Sequence, residues 1–146
     1  MPDSTPAADI LLREDRDAVA ILTLNRPEAR NSLSEAMLSA LGGMLDALAA
    51  DAAVRAVVIQ AEGSAFSAGH DLKEVRANKD RAYYERLLKQ CAEVMTRIVR
   101  LPKPVVAAVE GVATAAGCQL VASCDLAVAG RAARFATPGV NIGLFC

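Results

Sequence analysis

Val105-Val-Ala-Ala-Val-Glu-Gly-Val-Ala-Thr-Ala-Ala-Gly-Cys-Gln-Leu120 joins an apolar strand-like run to a helix-like run through a loop of small residues. Val105–Val109 reads as the strand, and the helix begins near Ala116. Small residues at such a junction let another group approach the backbone closely. The first amides of a helix have no partner and lie at the positive end of its dipole. A developing negative charge is stabilised there. The segment therefore reads as an oxyanion site that offers Gln119, and not an acid, beside it.

Outward from this segment, the chain alternates strands and helices. Residues 56–60 (Ala-Val-Val-Ile-Gln) are apolar without alternation, which suits a strand of a parallel sheet covered on both faces. Residues 10–13 and 19–25 are β-type runs, with Glu14-Asp-Arg-Asp17 between them as a hairpin turn. Ser32 followed by Glu35 matches a capping box. Met37, Leu38, Leu41, Met44, Leu45 and Leu48 then recur at helical spacing to about Ala50. A second long helix spans Arg81–Arg100, with Tyr84, Leu87, Leu88, Cys91, Met95 and Ile98 on one stripe, and Leu101-Pro-Lys-Pro104 ends it. Further strands are expected at Leu126–Ala129 and Arg134–Ala136. The order gives an α/β class. No linker, low-complexity tract or internal sequence repeat is visible. The stop at Cys146, inside an apolar segment, reads as a cut through a structural unit. An incomplete unit would leave apolar faces uncovered.

The bulk numbers exclude several functions. The 146 residues suffice for one domain with a core. Sixteen basic and seventeen acidic residues leave a net charge of -1, so no basic excess points to nucleic acid or to a membrane surface. Four cysteines, none in a C-x-x-C pair, and one histidine do not make a zinc site or a disulfide framework. A reducing compartment such as the cytoplasm follows. The N-terminus, Met1-Pro-Asp-Ser-Thr-Pro6, is polar and lacks the apolar region of a secretory signal.

A second small-residue loop, Glu62-Gly-Ser-Ala-Phe-Ser-Ala-Gly-His-Asp71, shares the logic of the first. Ala68-Gly-His-Asp71 presents the amide of His70, and Ala115-Ala-Gly117 presents that of Ala116. Loops after neighbouring parallel strands meet at the carboxyl end of a sheet. Two converging amides make a hole for a carbonyl oxygen that becomes an enolate or tetrahedral oxyanion. The alternative is two tight turns that only favour small residues. A P-loop is excluded, because Gly111 and Gly117 have five residues between them where four are needed, and no Lys-Ser/Thr follows. No G-x-G-x-x-G occurs. Cys118 is either a thiolate at a helix start or a small buried residue. Cys91 and Cys124 read as core. His70 alone has an ordinary pKa near neutrality, which makes it a candidate proton carrier or an incidental loop residue.

The chain resembles the crotonase (enoyl-CoA hydratase/isomerase) superfamily. The match is carried by Leu24-Asn-Arg-Pro-Glu-Ala-Arg-Asn31, Ala65-Phe-Ser-Ala-Gly-His-Asp-Leu-Lys-Glu74, Pro104-Val-Val-Ala-Ala-Val-Glu-Gly111, Ala116-Gly-Cys-Gln-Leu-Val-Ala-Ser-Cys-Asp125 and Phe135-Ala-Thr-Pro138, in family order. Residues 113–125 and 135–146 resemble one group within it, mitochondrial in animals. The resemblance implies a spiral of β-β-α turns, lacking here its last turns and C-terminal helices, so that residues 1–146 form a partial domain. It implies an acyl-CoA thioester ligand, with coenzyme A arriving as part of the substrate and no permanently bound cofactor. Its oxyanion amides fall on His70 and Ala116. Its coenzyme A contacts fall around Arg30, Ala68, His70, Asp71, Leu72 and Lys73, although Lys73 also reads as a solvated helix residue. Family members assemble as trimers, often paired into hexamers.

One departure stands out. The two glutamates of family hydratases fall on Gln119 and Gly139. Adding water across a double bond needs a base for the water and an acid for the α-carbon. A carboxamide orients water but carries no proton at neutral pH. The expectation is an acyl-CoA-binding protein of lyase/isomerase type without ordinary two-glutamate hydration, the proton carrier being Asp71 or His70 within this chain or, equally, a group of the family's C-terminal part. The alternative is a non-catalytic acyl-CoA-binding or regulatory module. An RNA-binding scaffold has no basic signature to support it.

Overall fold

The computed structural model describes residues 9–143. The N-terminal stretch 1–6, read above as no signal, and the end of the chain, including Cys146, lie outside the described residues.

Strands β1 (Leu11–Arg16) and β2 (Val19–Leu24) form an antiparallel hairpin, with Leu11 opposite Leu24 and Arg16 opposite Val19. The turn is Asp17-Ala18, both at positive φ (47° and 65°), as a tight two-residue hairpin requires. The expected turn at residues 14–17 is corrected accordingly. Residues 14–16 of that charged run are strand, and only Asp17 lies in the turn. Alternate side chains share a face, so Arg13 donates to Asp15 (2.8 Å) and Arg16 to Glu14 (2.7 Å) along a solvated edge.

Helix α1 (Glu35–Ala50) is capped by Ser34, whose hydroxyl accepts from the Met37 amide at 3.2 Å. The capping box anticipated from Ser32 is not formed. Ser32 is buried and its hydroxyl donates to Asp71 at 3.3 Å. Helix α3 (Arg81–Arg100) packs against α1 through Leu87, Cys91, Val94, Met95 and Ile98, and its first buried residue is Tyr83. Tyr84 and Leu88, placed on the stripe by spacing, are 36% and 51% exposed. The stripe descends from Tyr83 in steps of four, and Tyr84 instead turns its hydroxyl toward the Val75 carbonyl (3.4 Å). Cys91 is buried and Cys124 half-buried against the core, and burial pushes their thiols up to about 11 and about 12. Both are neutral packing groups.

The remaining elements are β3 (Ala56–Ala61), β4 (Ala65–Ser67), α2 (Leu72–Ala77), β5 (Val105–Val109), β6 (Val112–Thr114), α4 (Ala116–Ser123), β7 (Leu126–Ala129), β8 (Arg134–Ala136) and a 3-10 turn, Pro138–Ile142. They make two sheets, β1-β2-β3-β5-β7, parallel from β2 onward, and the parallel β4-β6-β8. Strands β3, β5 and β7 of the first sheet are each followed by a short strand of the second and then by a helical segment. The chain is therefore a β-β-α spiral, although the sequence shows no repeat. The repeat lies in the corners between the strands of each pair. Gly63 (φ 84°) and Gly111 (φ 71°) turn two of them, and successive corners stack so closely that a Cβ on Gly111 would lie 2.0 Å from the Ser64 carbonyl oxygen.

The core lies between the larger sheet and helices α1 and α3, where Leu22, Leu24, Leu38, Leu41 and Ile59 are inaccessible to solvent. On the far side, Leu126, Val128, Val140 and Ile142 of β7 and the last turn are two-thirds or more exposed.

Candidate functional site

Three loops leave the carboxyl ends of β4, β6 and β8, which run parallel and side by side. They carry His70, Ala116 and Gly139. The first two touch. A Cβ on Gly69 (φ 87°) would lie 2.9 Å from the Ala115 Cβ, 3.0 Å from the Thr114 carbonyl oxygen and 3.1 Å from the Ala116 nitrogen. Glycine is required at position 69 for conformation and for space. Thr114 Oγ1 donates to the Ala68 carbonyl at 3.2 Å and ties the loops together.

The amides are presented by recognisable local geometry. Leu33 and His70 form an isolated parallel bridge, in which the Leu33 amide donates to the Gly69 carbonyl at 2.7 Å. In a parallel bridge one residue bonds the two neighbours of the other, here Leu33, so it is the His70 amide that faces away from the partner. The His70 amide therefore points off that pair and finds no backbone acceptor among the described residues. Ala116 is the first residue of α4, and its amide is likewise free. Before it, Ala115 adopts φ 52°, ψ -126°, a conformation that costs a non-glycine residue about 1–3 kcal/mol. The Ala115 amide donates to the Ala136 carbonyl at 2.9 Å, which hangs the junction on the end of β8. Nothing in the sequence around Ala115 marked that strain.

Gln119 lies one turn into α4 and is exposed. Gly139 is the one buried residue of the Pro138–Ile142 turn. Cys118 is half-buried in the first turn of α4.

A groove of about 440 Å³ gathers the six residues assigned to coenzyme A contact, Arg30, Ala68, His70, Asp71, Leu72 and Lys73, together with Arg26, Glu28, Ala29 and Ser32. Ala116, Gln119 and Gly139 do not line it, so His70 is shared between groove and loops.

Asp71 differs from its expected role. It caps α2, accepting from the Lys73 and Glu74 amides (3.0 and 3.3 Å), and pairs with Arg26 (2.9 Å). Burial pushes its carboxyl up, but the Glu74 amide, the Arg26 guanidinium and the Lys73 amide outweigh it and hold it below the usual carboxylate range. A carboxylate so occupied is a poor proton carrier.

Burial pushes the His70 imidazole below its ordinary value, against the opposing effects of the Leu33 carbonyl and the Glu74 charge. The neutral ring is favoured by folding, so the unfolded chain binds the extra proton. Stability should therefore rise with pH from the lowered value up to about 6.5 and be flat in this term above it. Denaturant midpoints measured from pH 4.5 to 7.5 in wild type and His70→Gln check this. An equal slope in both sinks the assignment.

Sequence reasoning missed Asn31 as the residue that holds the groove. It is inaccessible, at φ 50°, a left-handed conformation that asparagine tolerates. Its Nδ2 donates to the carbonyls of Glu62 (2.8 Å) and Ala65 (2.9 Å), and its Oδ1 accepts from the Arg26 amide (2.8 Å). Asn31→Ala leaves three backbone groups without this partner and should cost about 2–4 kcal/mol. Urea denaturation measures it, and a loss below about 1 kcal/mol contradicts this role.

The sequence pattern of the enoyl-CoA hydratase/isomerase family matches residues 14–146. This chain belongs to that family. Among curated relatives, enoyl-CoA hydratase domain-containing protein 3, mitochondrial, of Xenopus laevis is 51% identical over 86% of this chain and 42% of its own. The human protein of the same name is 48% identical over 89% of this chain and 43% of its own. The 2,3-dehydroadipyl-CoA hydratase of Escherichia coli is 42% identical over 92% of this chain and 51% of its own. The narrower resemblance of residues 113–125 and 135–146 is thus the group to which the first two belong. The crystal structure of a Mycobacterium smegmatis enoyl-CoA hydratase superposes with TM-score 0.91 at 62% identity, covering 94% of this chain and 54% of that one. The human domain-containing protein 3 structure gives 0.89 at 46%, with the same coverage. The chain spans about half the length of these enoyl-CoA hydratase/isomerase relatives. Among the described residues, no helix is long and apolar enough to cross a membrane.

Proposed function

We propose that this family member binds an acyl-CoA thioester, with the His70 and Ala116 amides polarising the thioester carbonyl, and that it does not carry out ordinary two-glutamate hydration. The supporting observation is the contact between the loops after β4 and β6, which leaves two free amides at one sheet edge. A single donor of such a hole is worth about 3 kcal/mol toward a developing oxyanion. The groove beside it presents Arg30 and Lys73, which suits the phosphates of coenzyme A. The reaction class is lyase or isomerase on an enolate-forming thioester. Gln119 serves as a polar positioning group. Trimeric or hexameric assembly and a mitochondrial or cytoplasmic setting belong to the same reading.

A second reading, a non-catalytic acyl-CoA-binding or regulatory module, draws on one observation. Gln119 and Gly139 carry no acid, and the Asp71 carboxylate is committed to capping. Calorimetric titration with crotonyl-CoA tests the shared part of both readings. Saturable binding is expected, and no binding at any concentration overturns them. Turnover of any enoyl-, hydroxyacyl- or malonyl-type thioester then separates the first from the second.

A further inference from the structure

The groove wall formed by Leu72 and Lys73 belongs to α2, a helix of six residues with no fully buried side chain. Isolated helices shorter than about 12 residues do not hold themselves in water, so α2 depends on its anchors. Asp71 caps its first turn from within the same segment. Tyr84 reaches the Val75 carbonyl at a long 3.4 Å. The third anchor is Glu74, whose Oε2 accepts from the Glu35 amide at 3.0 Å. Glu35 opens α1, so this carboxylate fills an orphan amide at the positive end of a sixteen-residue core helix. Behind it lies Tyr83, 3% exposed, with its hydroxyl unpartnered and raised to about 12 by burial and by Glu74 and Glu35.

We propose that Glu74 is a positioning residue: it pins α2 to the amino end of α1 and thereby sets the groove wall and the neighbouring His70. The affinity consequence rests on the acyl-CoA reading of the groove, whereas the consequence for α2 itself does not. Glu74→Ala loses the acceptor, and Glu74→Gln keeps an oxygen for the Glu35 amide while removing the charge.

Three measurements on the full chain test this. Amide exchange across Leu72–Ala77 should quicken about tenfold in Glu74→Ala and return toward wild type in Glu74→Gln. Crotonyl-CoA affinity should fall about five- to tenfold in Glu74→Ala and recover in Glu74→Gln. His70 is the only histidine, so its ring-proton titration is readable without assignment, and it should move to lower pH in Glu74→Gln, where the raising charge is gone. Unchanged exchange in Glu74→Ala, failure of Glu74→Gln to rescue, or an unmoved His70 titration each overturns the proposal. If wild type binds no crotonyl-CoA, the acyl-CoA reading fails, while exchange and titration still decide the role of Glu74. If Glu74→Ala does not fold, Glu74→Gln and the His70 titration decide it.

Discussion

Crotonyl-CoA mixed with the purified protein is expected to remain unhydrated, at a rate roughly 10,000-fold or more below that of a two-glutamate hydratase. Each positioned acid or base contributes about 100- to 10,000-fold, and neither side chain is present. At position 119 stands a carboxamide, which accepts and donates hydrogen bonds but does not titrate near neutrality. Position 139 has no side chain and is buried in a 3-10 turn. Asp71 does not substitute, because Arg26 and two amides hold its carboxylate. Following the loss of the conjugated enoyl absorbance measures the rate. Turnover matching that of the Escherichia coli 2,3-dehydroadipyl-CoA hydratase would show that another group carries the proton. Binding should persist where hydration does not, since the amides of His70 and Ala116 depend on backbone geometry and not on either missing acid.

Gly117→Ala is expected to be among the most damaging single methyl additions in the chain. Its Cβ would lie 2.4 Å from the Ser67 carbonyl oxygen and 2.8 Å from the Ser67 Cβ. The principal obstacle is backbone, so no rotamer change relieves it. Either α4 backs away from β4, parting the two loops, or the fold absorbs the strain, at about 3 kcal/mol or more. Both outcomes weaken crotonyl-CoA binding. Gly43→Ala is the control, since its Cβ meets nothing within 4 Å on an exposed face of α1. It should stabilise by about 0.5–1 kcal/mol through helix propensity alone. Chemical denaturation of the two variants reads the contrast, and a Gly117→Ala midpoint equal to wild type would disprove the close packing of the loops.

The strands, the two long helices and the pair of small-residue loops were readable because apolar periodicity and Gly/Ala runs are local signals. Errors arose where a nonlocal partner overrode the local one. Ser32 resembles a cap but is drawn to Asp71, leaving Ser34 to cap α1. Tyr83 and Tyr84 flank the edge of the apolar stripe of α3, and packing against the core buries Tyr83. Asp71 looked like a candidate acid because nothing local reveals that Arg26, 45 positions earlier in the chain, neutralises it. The short α2 and the strands β4 and β6, two of the three strands of three residues, fell below the length at which periodicity is visible.

The sequence by itself determined the α/β class and the family. These follow from residue identity and from runs long enough to carry a period. Only the tertiary structure decided that the loops after β4 and β6 meet, that six residues from two segments share one groove, and that Asn31 and Glu74 hold it. Those facts depend on segments brought side by side across long stretches of intervening chain, and such a pairing leaves no periodic trace along the sequence.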